Sequence, residues 1–329
     1  WSTDSRHHDK IDKEAFTMKI AKPLLILIVL AAAVLLPIVT EAYFISIAIT
    51  ILTFMTLALS WDMMLRTGQL SFGTAGFFGL GGYTGIIAAA DFGVDPVIGI
   101  MLGGLVAGGI ALILGMAILR LRGLYFAITT MALASVFMVI IRNLHRLTGG
   151  PSGKIVYNTL FNYDSNKVYW FMLAIAVGTV VISELFQRTR IHFAIDSIRA
   201  DETVAKSHGV NIYKYLIFVF VVTSIIQGVI GATYALQYGF VYPESSFSPH
   251  YLLLPIAMAL VGGIYSTIGP ILGAIILGLS SEYLKLIMPY GHLVIYGVII
   301  VVVVLFMPDG VYGAIKAFFM NRKRRLEER

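Results

Sequence analysis

Long runs without a single charged residue recur along this chain, and they constrain its fold more than any other feature. Val97–Leu119 and Tyr215–Tyr238 are unbroken, predominantly apolar stretches without a charged residue. A hydrocarbon core about 30 Å thick needs roughly 20 such residues at about 1.5 Å rise each. Comparable runs fall near Pro23–Thr40, Ala42–Leu59, Gly68–Ala90, Gly123–Ile141, Val168–Phe186, Tyr251–Tyr265, Gly269–Leu284 and His292–Met307. The expected fold is therefore all-α: a polytopic transmembrane helical bundle of about ten spans, with both termini on one side. Tyr251–Tyr265 is short for a full crossing.

Composition agrees with the runs. Hydrophobic residues make up 58% of the 329 and charged residues only 13%, against about 25% charged in soluble domains. So little polar surface excludes a soluble enzyme or a disordered chain. It also excludes a free nucleic-acid binder, although the formal net charge is +6. The absence of cysteine excludes a disulfide scaffold and any thiolate-held metal.

The basic residues orient the bundle, because cytoplasmic loops retain an excess of Lys and Arg. With the N-terminus inside, only Arg142, Arg146, Lys154, Lys167 and Lys285 of the 24 Lys and Arg fall outside. Four of those five lie in one loop, Arg142–Lys167, the exception to the pattern. Residues 1–17 are polar and begin with Trp1; they are read as an extension outside the functional unit, with Met18 the expected native start. Residues 18–313 form the expected membrane domain, and 314–329 a basic cytoplasmic tail that touches anionic lipid rather than nucleic acid.

Glycines at four-residue spacing, Gly99/Gly103, Gly104/Gly108 and Gly269/Gly273, mark close helix packing. Two glycine-rich segments go further. One runs from Gly68-Gln69-Leu70-Ser71-Phe72-Gly73-Thr74 to Gly82-Tyr83-Thr84, the other from Gly262-Gly263 to Gly269-Pro270. Paired interrupted segments of this kind point to broken helices around a translocation path, and a tight cytoplasmic turn explains the second one equally well. Gln69, Ser71, Thr74 and Thr84 are the candidate polar lining, and Tyr83 a wall or gate. Intramembrane carboxylates are nearly absent, since Asp62, Glu184 and Glu282 sit near span ends where they reach the interface. Ion-coupled carriers place such groups centrally, so the driving force is expected from elsewhere. No metal-ligand spacing, cofactor motif or Ser–His–Asp set is visible. Gly149–Ile155 only loosely resembles a phosphate loop: Thr148 and Ile155 stand where the pattern needs Gly and Ser or Thr.

The longest interior loop, 187–214, contains a short amphipathic helix from Ala194 to Gly209. Ile195, Ile198, Val204 and Ala205 form its apolar face, and Asp196, Arg199, Asp201, Glu202 and Lys206 its charged one. Gly209 is a fitting stop.

This loop, together with Thr67–Gly73, Gly82-Tyr83-Thr84, Leu121–Ala127, Leu147–Gly150, Gly262-Gly263 with Gly269-Pro270, and Pro308–Gly313, resembles the LivM-like permease subunits of ABC importers for branched-chain amino acids. The resemblance implies a chain of the bacterial or archaeal plasma membrane that has no ATP site of its own. It implies a homologous LivH-like permease, two cytoplasmic ATPase subunits and an external solute-binding protein as partners. It also implies that Asp196, Arg199, Asp201, Glu202 and Gly209 belong to the segment that docks an ATPase. Urea and short-chain amide importers share this permease type. A passive channel lined by the glycine-rich segments, or an integral-membrane enzyme, are the other classes. The first leaves the charged loop unexplained, and the second needs a polar cluster that the sequence lacks.

Overall fold

The computed structural model describes residues 28–189 and 211–287, together with 193, 195–197, 199, 205–206, 297–298, 301–302, 305–306 and 310–317. Nine helices organise the two long described stretches: α1 (Ile28–Val39), α2 (Ala42–Leu65), α3 (Thr74–Asp91), α4 (Pro96–Ile118), α5 (Leu124–Asn143), α6 (Ser165–Arg188), α7 (Ile212–Tyr238), α8 (His250–Gly262) and α9 (Ile268–Ile287). Among the described residues, six segments are long and apolar enough to cross a membrane: α2, α4, α5, α6, α7, and α8 with the short helix before it. The expected span His292–Met307 lies largely outside the described residues. The expected span Gly68–Ala90 is helical only from Thr74.

Local chemistry sets the helix ends. Asp95 caps α4 by accepting from the Val97 N–H at 2.8 Å, with Pro96 in the first helical position, where a missing N–H does no harm. Asp164 caps α6 through the Asn166 and Lys167 N–H groups, and Asn211 caps α7 through Lys214. Gly239, left-handed at φ 68, ends α7.

Glycine decides which face of each helix goes inward. On α4, Gly99, Gly103, Gly104, Gly108 and Gly115 are buried, while Ile98, Met101, Leu105 and Ile113 are exposed. Large apolar groups outside and small ones inside are the pattern of a helix facing lipid. The buried stripe receives α7, whose Val229, Ile225 and Ala232 lie over Gly104, Gly108 and Gly103 respectively. Gly81 and Gly82 of α3 meet Gly228 and Gly231 of α7 in the same way. These three helices pack more extensively on one another than on the rest of the bundle, with α2 closing the group on another side. The glycine spacings therefore mark packing, as expected.

Reversals of the chain gather at two ends. At one lie residues 92–95, 144–164 and 239–249. There Lys154–Ile155 pairs antiparallel with Phe240–Val241, and the surplus basic residues of the 142–167 loop find carboxylates. Lys154 pairs with Asp91 at 2.5 Å, Arg142 with Glu244 at 3.1 Å and Lys167 with Asp164 at 3.2 Å. Lys154 Nζ also donates to the Leu147 carbonyl, so the lysine of the phosphate-loop look-alike is engaged within the protein. At the other end lie residues 66–73, 119–123 and 263–267, with Arg199 over Gly68.

Candidate coupling and translocation site

The break between α2 and α3 is held by hydrogen bonds to neighbouring elements. After Leu65 the Arg66, Thr67 and Gly68 N–H groups still bond to α2 carbonyls, and Gly68, at φ 80, turns the chain out of the helix. Trp61 Nε1 then donates to the Ser71 carbonyl at 2.9 Å, and the Phe72 N–H donates to Thr130 Oγ1 at 2.9 Å. Irregular backbone at membrane depth needs this covering.

Within this frame the five candidate path residues separate into two kinds. Ser71 Oγ accepts from the Gly73 N–H, and Thr84 Oγ1 donates to the Leu80 carbonyl at 2.8 Å, so both hydroxyls serve local backbone. Gln69, Thr74 and Tyr83 are almost fully buried, yet Gln69 Oε1, Thr74 Oγ1 and the Tyr83 hydroxyl have no hydrogen-bond partner among the described residues. Each such group costs about 1–3 kcal/mol, and buried polar groups are rarely left so. Thr74 and Tyr83 stand nine residues apart on α3, about 13 Å along its axis. The Tyr83 ring stacks on Phe247 near the opposite end.

Sequence reasoning missed the α7 side of this seam. Ser224 Oγ is likewise buried without a partner, and Gln227 Nε2 reaches Ser60 Oγ of α2 at 3.3 Å. The available signal was a lone amide in the middle of an apolar span.

The other half of the site is the interior loop. Ile195 and Ala205 are buried, while Arg199 and Lys206 are exposed, as the amphipathic reading expects. Asp201, Glu202 and Gly209, with Ile198 and Val204, lie outside the described residues. Arg199 pairs with Asp196 at 3.0 Å and places its guanidinium 4.4 Å from the centroid of the Tyr265 ring. Its Cα lies directly over Gly68, 3.6 Å from where a side-chain carbon would begin.

Asp62 corrects the sequence reading. It does not reach the interface, because α2 continues past Leu59 to Leu65 and leaves Asp62 fully buried in the last turn. Its Oδ2 accepts from Arg66 Nε at 2.8 Å and sits 2.7 Å from Nη2; its Oδ1 accepts from the Tyr265 N–H at 2.7 Å. Arg66 Nη1 reaches the Ser183 carbonyl, and Ser183 Oγ lies 2.8 Å from Thr267 Oγ1. The second glycine-rich segment is a tight turn. Gly262, Gly269 and Gly273 let α8 and α9 cross with backbone against backbone, and Gly310 packs onto Gly262 and Gly263.

Four of the sequence features singled out above thus meet at one end of the bundle: the 67–73 break, the interior loop, the 262–270 turn and the stretch around Gly310. A fifth, Leu121–Ala127, leads into α5, whose Thr130 holds the break. Residues 43–304 match the family model described as the permease component of branched-chain amino acid transport systems. The chain is 26% identical over 321 residues to the high-affinity branched-chain amino acid transport system permease protein LivM of Salmonella typhimurium, covering 88% of this chain and 75% of that protein. The LivM protein of Escherichia coli matches to the same extent. No solved structure matches the chain. A helical membrane protein whose family match spans most of its length, this chain belongs to the permease components of branched-chain amino acid transport systems.

Proposed function

We propose that this chain is the membrane-spanning permease subunit of an ATP-binding-cassette importer that carries branched-chain amino acids across a bacterial or archaeal plasma membrane. It supplies the path and has no ATP site. Two cytoplasmic ATPase subunits supply the power, a homologous LivH-like permease completes the membrane unit, and an external solute-binding protein delivers the cargo. The end holding residues 66–73, 119–123 and 263–267, with Arg199, faces the cytoplasm, in line with the distribution of Lys and Arg.

The observation that carries this reading is the seating of Arg199 against both glycine-rich interruptions at once, over Gly68 and over the Tyr265 ring. A charged amphipathic segment placed there links a cytoplasmic motor to the two points where helices are broken. Asp196, Arg199, Asp201 and Glu202 are the docking contacts, and Gly209 makes the turn after them. Gln69, Thr74 and Tyr83 line the path with their unpartnered polar atoms, while Ser71 and Thr84 shape the backbone around it.

Co-purification of the complete importer tests the reading. Its ATPase activity should rise when the binding protein carries leucine, isoleucine or valine. Stimulation by urea or a short-chain amide alone would keep the importer and replace the cargo. A complex whose hydrolysis ignores the loaded binding protein would refute the proposal.

A further inference from the structure

The Asp62 carboxylate holds segments far apart in the sequence, one on each oxygen. Oδ2 holds Arg66, the first residue beyond α2, and Oδ1 holds the backbone N–H of Tyr265 in the α8–α9 turn. A buried ion pair is weak evidence for stability, because desolvation offsets its attraction; its best-attested use is to specify an arrangement. The arrangement specified here is unusual. Tyr265 has φ 62, a left-handed conformation that aromatic residues rarely adopt, and its ring lies beneath Arg199. A second tie, Ser183 Oγ to Thr267 Oγ1, holds the same turn to the end of α6.

We propose that the Asp62–Arg66 pair is the joint through which movement of Arg199 reaches the helix breaks. The inference rests on the importer reading above and adds residues to it that no docking contact includes. When the motor displaces Arg199, the Tyr265 ring moves with it. The Tyr265 backbone is tied to Asp62, so the end of α2 and the start of the 66–73 break follow. Ser183 and Thr267 keep the end of α6 in the same body. Asp62, Arg66 and Tyr265 are positioning residues: they touch neither ATP nor cargo.

Two experiments on the reconstituted complete importer test this. The first pairs Asp62→Leu with Arg66→Met, which removes both charges while keeping apolar volume and deletes the acceptor for the Tyr265 N–H. We expect assembly and ATP hydrolysis to persist, while solute moved per ATP hydrolysed falls at least about tenfold. A ratio within about twofold of wild type overturns the proposal. Tyr265→Ala, which leaves the buried pair intact and removes the ring under Arg199, carries the same two outcomes if the double variant does not assemble. The second experiment uses Ser183→Cys with Thr267→Cys in a chain that has no cysteine of its own. If these segments move as one body, oxidative cross-linking leaves uptake unchanged. Loss of uptake on oxidation, restored by reductant, overturns the joint. A wild-type importer without any ATP-driven uptake would instead overturn the importer reading itself.

Discussion

Gly81→Ala should loosen the bundle where α3 and α7 pack backbone against backbone. A methyl group at Gly81 would stand 2.5 Å from Gly228 Cα and closer still to the Gly228 carbonyl oxygen, where non-bonded carbons prefer about 3.5–4.0 Å. Both obstacles are backbone, so no side chain can swing aside, and α3 and α7 must part by about 1 Å. A gap of about 0.5–1 Å forfeits a quarter to a half of each contact's 0.1–0.2 kcal/mol. Over a seam with on the order of 50 atom pairs the loss is about 3 kcal/mol, the upper part of the range for overpacked cores. With about 2.1 cal/mol/K of unfolding entropy per residue and 329 residues, this lowers the melting temperature by about 4 °C. Gly178→Ala is the control, because a methyl there meets nothing within 4 Å and alanine favours the helix by about 1 kcal/mol. Thermal melting of the two variants in one detergent measures the difference. Equal melting temperatures would show that α3 and α7 are not packed backbone to backbone.

Further expectations follow from the site. Arg199→Glu, or Asp201→Lys with Glu202→Lys, should leave the bundle folded and uncouple ATP hydrolysis from uptake; normal ATP-driven uptake in either variant would remove the docking assignment. Gln69→Ala, Thr74→Ala and Tyr83→Phe, which delete polar atoms without partners, should alter uptake several-fold with assembly unchanged. Thr84→Ala, which loses a hydroxyl already bonded within its own helix, should not, and a reversed order would move the path elsewhere. Asp164 gives a pH signature: the Lys167 N–H and side chain, with the Asn166 N–H, hold its exposed carboxyl below the usual carboxylate range. A lowered folded-state value contributes stability above the unfolded value and loses it as pH falls through the folded one. The melting difference between wild type and Asp164→Asn should therefore be greatest near neutral pH and fade in acid; a difference that is constant with pH would contradict the assignment.

Much of the architecture was legible because lipid imposes simple rules. Uncharged runs located the helices, and glycines at four-residue spacing marked where α4 and α7 approach. What the sequence hid depends on partners distant along the chain. The charge pattern set Lys154 and Arg142 apart as exceptions, but their partners Asp91 and Glu244 are far away in sequence and come close only through the packing at that end. Asp62 was misplaced because the apolar run weakens at Leu59, whereas the helix continues once Arg66, one turn further on, neutralises the carboxylate. Opposite charges four residues apart were the available signal. The glycine-rich segments looked alike in sequence and proved different: the first is an extended break lined by polar atoms, the second a turn between crossing helices. Among the five candidate path residues, sequence could not separate the hydroxyls bonded to local backbone from the atoms left free, since that depends on what packs against each.

The central claim is that this chain provides a path that moves solute only when a motor subunit drives it. Uptake of labelled leucine into proteoliposomes measures this directly, comparing the complete importer with the chain alone, each with and without ATP. The account predicts uptake by the complete importer with ATP and none in the other three conditions. Leucine flux through the chain alone, or flux through the complete importer without ATP, would contradict it and make the protein a channel.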